Sequence, residues 1–128
     1  MKKILFAAML IVCSMLTAQA DDVMTKQADG TYVVNTTTLA KDVKGYAGTT
    51  PVEIYILKNK IVKVVALKNQ ETPKYFARIK KALLSKWEGL KVSNAEKTEV
   101  DGVTGATMSS DAVKENVKRG LNYYKKHK

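Results

Sequence analysis

Two runs of β-branched residues, parted by three positions, restrict this chain more than any other feature. Val52-Glu53-Ile54-Tyr55-Ile56-Leu57 and Ile61-Val62-Lys63-Val64-Val65-Ala66-Leu67 flank Lys58-Asn59-Lys60, and Asn59 is a residue type that tolerates the left-handed backbone of a tight turn. The pattern predicts an antiparallel hairpin. Alternation puts Val52, Ile54 and Ile56 on one face of the first strand and Val62, Val64 and Ala66 on one face of the second, with Glu53 and Lys63 opposite. A sheet with one apolar face needs helices to cover it.

The sequence downstream supplies two. Thr72-Pro73 reads as a helix start, with the threonine as N-cap and proline at the first helical position, where its missing N–H costs nothing. Phe76, Ile79, Leu83 and Trp87 then recur every three or four residues, with Tyr75 and Ala82 beside them, up to a stop at Gly89. A second helix is predicted from Ser109 or Ser110, with Asp111 in its first turn and Val113, Val117, Leu121 and Tyr124 as its buried stripe. Upstream, Asp21–Asp29 is polar and closes on the turn pair Asp29-Gly30, so the first strand is expected at Tyr32-Val33-Val34. Gly45-Tyr46-Ala47-Gly48-Thr49-Thr50-Pro51 is loop chemistry. The order predicts an α+β domain: a small antiparallel sheet with a β-hairpin, packed against two main helices.

The first twenty residues read as an export signal. Met1-Lys2-Lys3 is a basic start, Ile4–Leu16 is an uncharged apolar run, and Ala18-Gln19-Ala20 offers small residues where a signal peptidase reads. The run falls short of the about 20 residues that span a bilayer, and Val12 before Cys13 is not the small residue that lipidation sites want. We expect cleavage after Ala20, a single domain over residues 21–128, an extracytoplasmic location and no retained transmembrane segment. Removing 20 of 128 residues leaves 108, and with Lys2 and Lys3 gone the formal charge falls from +10 to +8. The only cysteine is lost with them, so the core must hold without disulfides. One histidine, His127 in a lysine-rich tail, excludes most metal chemistry. Lys80, Lys81, Lys86, Lys118, Arg119, Lys125 and Lys126 read either as a solvated surface or as docking points for acidic redox partners or an anionic membrane. Nucleic acid is not an expected partner of an exported chain with buried aromatics.

Between the helices, Gly102 to Ser110 holds two glycines, an alanine and four hydroxyls directly before a helix N-terminus. Glycines let a ligand approach the backbone, and the helix dipole favours an anion there. On these grounds alone the stretch is either an anion site or a set of caps. It is neither a Walker loop nor a dinucleotide fingerprint.

Asp101-Gly102-Val103-Thr104-Gly105-Ala106-Thr107 resembles the flavinylation motif of the FMN-binding domain family, which includes the flavin subunits of sodium-pumping NADH:quinone oxidoreductase and of the Rnf complex. Gly45-Tyr46-Ala47-Gly48 with Pro51-Val52, Glu71-Thr72 before the first helix, and Ser109-Ser110 resemble further family features, in the same order over about eighty residues. The resemblance implies FMN joined through a phosphoester to Thr107 by a separate, Mg-dependent flavin transferase that takes FAD as donor. It also implies that Asp101, Gly102, Thr104, Gly105 and Ala106 shape the loop or admit the transferase and the ring, with Ser110 at the start of the last helix. Glu71 and Thr72 either hydrogen-bond the flavin or serve as a solvated loop acid and an N-cap. Tyr46 is expected to pin its loop rather than line the pocket. The function implied is electron carriage between a membrane donor and an extracytoplasmic acceptor. The alternative is a non-redox, exported basic module for an anionic ligand or partner, and a flavin spectrum separates the two.

Overall fold

The structure, a computed structural model, describes residues 23–97 and 107–128. The expected signal segment and Asp101, Gly102, Thr104, Gly105 and Ala106 lie outside the described residues, as does the side chain of Tyr75.

Among the described residues, four strands form one antiparallel sheet in the order β1 (Met24–Lys26), β2 (Tyr32–Asn35), β3 (Val52–Leu57), β4 (Lys60–Ala66). The predicted hairpin is β3–β4. Its turn is two residues long, with Leu57 opposite Lys60 and both Lys58 (φ 52°) and Asn59 (φ 61°) in the left-handed region, the backbone of a turn whose twist matches the strands. Val52, Ile54 and Ile56 are all buried, as their alternation requires. The second strand departs from simple alternation. Ile56 pairs with Ile61 and Tyr55 with Lys63, leaving Val62 as a bulge. The bulge corrects the predicted face: Ile61 and Val64 enter the core, whereas Val62 is 49% exposed.

β1 is an addition to the predicted set. Its three residues pair Met24 with Val34 and Lys26 with Tyr32 across a turn at Gly30 (φ 96°). Strand structure therefore begins before Tyr32, inside the stretch read as polar.

α1 (Pro73–Arg78) runs on without a break into a π-helical turn (Ile79–Leu83) and a 3₁₀ turn (Leu84–Trp87). Phe76, Ile79, Leu83 and Trp87 are buried as predicted. The change of winding, from a wide turn to a tight one, also brings Leu84 into the core and leaves Ala82 outside. The Thr72 side chain makes no capping bond. Only its carbonyl takes part, accepting the Phe76 N–H at 2.9 Å. A single turn, α2 (Val92–Ala95), follows.

α3 (Thr107–His127) has 21 residues and is about 30 Å long. It starts earlier than predicted, which moves Asp111 out of the first turn and into a 3.6 Å pair with Lys114. Val113, Val117, Leu121 and Tyr124 are buried as expected. They close a core with Val34, Ile54, Ile56, Ile61, Ile79, Leu83 and Trp87, where each large side chain contributes roughly 1.5–3 kcal/mol. The helix comes so near the sheet at Gly120 that a Cβ there would lie 2.5 Å from Ile54 Cδ1 and 3.1 Å from Thr36 Cγ2. Beside this contact runs a buried polar chain. Val52 N–H donates to Thr36 Oγ1 at 3.0 Å, the Thr36 hydroxyl donates to Asn116 Oδ1 at 2.5 Å, and Asn116 Nδ2 donates to Ala112 O at 2.8 Å. On the helix flank, Arg119 reaches Asp42 at 2.6 Å and the Leu39 carbonyl at 3.0 Å.

Gly120→Val is expected to cost about 1–3 kcal/mol through overpacking against Ile54 and Thr36, read as a lower urea midpoint with unchanged slope. The Arg119 hydrogen bond holds the Asp42 carboxyl below its ordinary 3.8. The stability that this pair contributes is therefore present above the ordinary value and lost as pH falls through the depressed one. Asp42→Ala is expected to melt below the parent at neutral pH, with the two melting temperatures converging in acid.

Candidate functional site

Three segments far apart in sequence meet at the N-terminal end of α3. The first is the loop 45–48, closed by the Gly45 N–H to Gly48 carbonyl bond at 2.7 Å and by the pairing of Lys44 with Thr49. Gly48 (φ 147°) has a backbone that other residues rarely adopt. Gly45 is needed for a different reason. A Cβ on it would stand 3.0 Å from Ser109 Cα, 3.1 Å from Ser109 Oγ and 3.2 Å from Glu71 Oε1, so only a residue without a side chain lets the loop lie this close to the helix.

Glu71, in the second segment, is held by a local turn. Its N–H donates to Asn69 Oδ1 at 3.0 Å, and Asn69 Nδ2 donates to the Leu67 carbonyl at 3.1 Å. Glu71 is 7% exposed, and its carboxylate accepts the Ala47 N–H at 2.5 Å and the Ser109 hydroxyl. Ser109 Oγ in turn accepts the Tyr46 N–H at 3.4 Å. An acid this far out of water requires such donors, and the bonds to it make one clamp of loop, turn and helix. On another side, Glu71 borders a cavity of about 350 Å³ shared with Asn69, Pro73, Phe76 and Lys80.

Thr107 is the first residue of α3 and is exposed. Its hydroxyl therefore stands at the positive end of a long helix, two residues before the clamp. Among the described residues, the exposed large hydrophobic side chains are Tyr46 at 78%, Met108 at 59% and Val62, and two of these three adjoin Ser109. Tyr46 is tied to the helix through its backbone N–H, and its side chain stands out in solvent. Thr72 is exposed next to Glu71, and Ser110 is fully buried.

Of the predicted set, Glu71 takes part in the clamp, Thr72 follows it in the chain, and Thr107 and Ser110 lie on either side of Ser109 in α3; the structure adds Gly45, Ala47 and Ser109. The sequence marks Gly45 only as a loop glycine, and its close approach to the helix comes from the tertiary structure. Ser109 differs from Ser110 only in which hydroxyl meets the acid, a choice made by the phase of a helix that starts two residues earlier than predicted. Among the described residues, no group of three or more His, Cys, Asp or Glu side chains could hold a metal ion.

Comparison with curated proteins and with solved structures gives no match. A family described as FMN-binding domain matches residues 45–122. That stretch is more than half of the chain, and it opens on the loop glycine and closes within α3, taking in every residue of the clamp. The chain belongs to the FMN-binding domain family. Gly45→Ala is expected to drive the loop off the helix and to lower stability by about 1–3 kcal/mol, and Ser109→Ala to cost a similar amount by removing a donor from a buried carboxylate. Chemical denaturation reads both, and unchanged midpoints would show that the clamp does not bear on folding.

Proposed function

We propose that this member of the FMN-binding domain family carries FMN as a phosphoester on Thr107 and works outside the cytoplasm as an electron carrier. Family membership supports flavin binding. The observation that carries the finer reading is the exposed Thr107 at the head of α3, followed in the helix by the exposed Met108, with the exposed Tyr46 on the loop that meets Ser109. A hydroxyl in water is open to a second protein, and exposed apolar side chains next to it suit a large planar ring.

The attachment step balances with FAD as donor. Thr107 Oγ attacks the phosphorus on the flavin side of the diphosphate bridge, an O–P bond forms, the bridge breaks and AMP leaves. The hydroxyl proton passes to a base of the flavin transferase, which also supplies Mg²⁺. The chain's own part is positional. Thr107 presents the nucleophile, and the α3 N-terminus stabilises the resulting phosphodiester charge by roughly 0.3–1 kcal/mol. The Glu71–Ser109 clamp keeps loop 45–48 fixed against the helix, so the surface beside Thr107 is formed in advance. When bound, FMN supplies the redox chemistry. Met1–Ala20 supports export, and with it a membrane electron donor and an extracytoplasmic acceptor as partners.

The test is the intact mass of the denatured, exported protein made with and without a flavin transferase. The expected result is a chain starting at Asp21 that gains one FMN minus water on the peptide containing Thr107, only when the transferase is present. Thr107→Ala should abolish the gain while the protein still folds. An unmodified mass beside an active transferase, proved on a control substrate, would overturn covalent carriage and leave a basic anion-binding module as the reading.

A further inference from the structure

At the opposite end of α3 from Thr107, the hairpin tip, α2 and the last turn of the helix enclose a cleft of about 560 Å³, a size within the range of small-ligand sites. Six lysines line it: Lys58 and Lys60 on the hairpin, Lys91 and Lys97 at the two sides of α2, and Lys125 and Lys128 at the end of α3. Glu96 is the one acid in the lining, and Lys125 already engages it at 2.8 Å.

Lysines at a helix C-terminus have a plain explanation in the helix dipole, which accounts for Lys125 and Lys128. It does not account for the other four. Lys58, Lys60, Lys91 and Lys97 come from outside α3, and none has a carboxylate within 4.0 Å among the described residues. The wall that carries them is fixed in place. Asn59 accepts the Val92 N–H on its carbonyl at 2.8 Å, and its Oδ1 accepts the Tyr124 hydroxyl at 2.5 Å and Lys128 Nζ at 3.0 Å. Lys60 also pairs with Lys91 as a β-bridge. The fold thus gathers like charges around a concavity, at a repulsive cost that a seated anion offsets.

The cations are all lysine and none is arginine. A forked guanidinium matches a planar carboxylate, whereas ammonium groups act as point charges and suit the rounded, multiply charged face of a phosphate. The number of lysines exceeds what one phosphate needs. We propose that this cleft is a binding site for a group bearing two or more phosphates, separate from the flavin site and independent of flavin attachment. The group belongs either to a soluble phosphate ester or to a phospholipid headgroup.

The test titrates inorganic pyrophosphate into the unflavinylated full chain at about 0.15 M salt, followed by amide NMR shifts. Saturable, single-site shifts centred on Asn59, Ser93 and Tyr124 are expected. Lys58→Asn with Lys91→Gln should weaken binding by about tenfold or more. Asparagine suits the left-handed backbone at position 58, and a melting curve confirms folding. Lys81→Gln with Lys118→Gln, exposed lysines outside the cleft, should leave binding unchanged. A response that does not saturate, or one weakened equally by both pairs, would reduce the effect to bulk charge and overturn the proposal. With specific pyrophosphate binding in hand, co-sedimentation with anionic phospholipid vesicles that pyrophosphate competes away assigns a headgroup, and no co-sedimentation assigns a soluble ester.

Discussion

The buried hydrogen bond between Thr36 and Asn116 sets how α3 lies on the sheet. Apolar packing alone would let a helix slide or roll with little penalty, since one aliphatic contact resembles the next. A hydroxyl and an amide sealed from water have one good arrangement, and missing it leaves polar groups without partners. Gly120, one turn further along, brings the two layers close enough for that bond to form. Because Val52 donates to the same hydroxyl, the bond also fixes where β3 begins, and so where the loop before it must return.

From that anchor the two ends of α3 acquire different chemistry. Its N-terminus meets a buried acid and a glycine loop, with Thr107 exposed at its head. Its C-terminus meets the hairpin tip, where tyrosine, asparagine and lysine interlock. A helix about 30 Å long holds these surfaces apart, and neither intrudes on the other.

Local pattern made the hairpin, the stripe of α1 and the inner face of α3 legible, because in each the period of burial is written in adjacent residues. The reading failed where a distant partner decides. Alternation places Val62 inward, and a bulge that exists only in the pairing with β3 turns it out. Ala82 lies outside the core and Leu84 inside it because the winding changes from a π turn to a 3₁₀ turn after α1, and Met24–Lys26 forms a strand through β2 rather than through its own composition. At the candidate site, family resemblance points to Glu71 and Thr107 but says nothing of the bond from Glu71 to Ser109, which spans 38 positions. Gly45 could be read as a loop residue from sequence, whereas its nearness to a helix backbone is a fact of tertiary structure.

The bulge at Val62 has a bearing on how the protein behaves among its own copies. Among the described residues β4 is an edge of the sheet, and an open edge is a template on which other chains can add strands and seed aggregates. Here one end of that edge is taken up by residues 89–91, since Ile61 N–H donates to the Leu90 carbonyl and Gly89 N–H to the Ile61 carbonyl. Just beyond, the bulge breaks the regular spacing of free backbone groups, and Lys63 adds a charge that an incoming strand would have to desolvate. An irregularity that misled the reading of the core therefore also guards the sheet against polymerising, which matters for a small domain that has no disulfide to hold it shut.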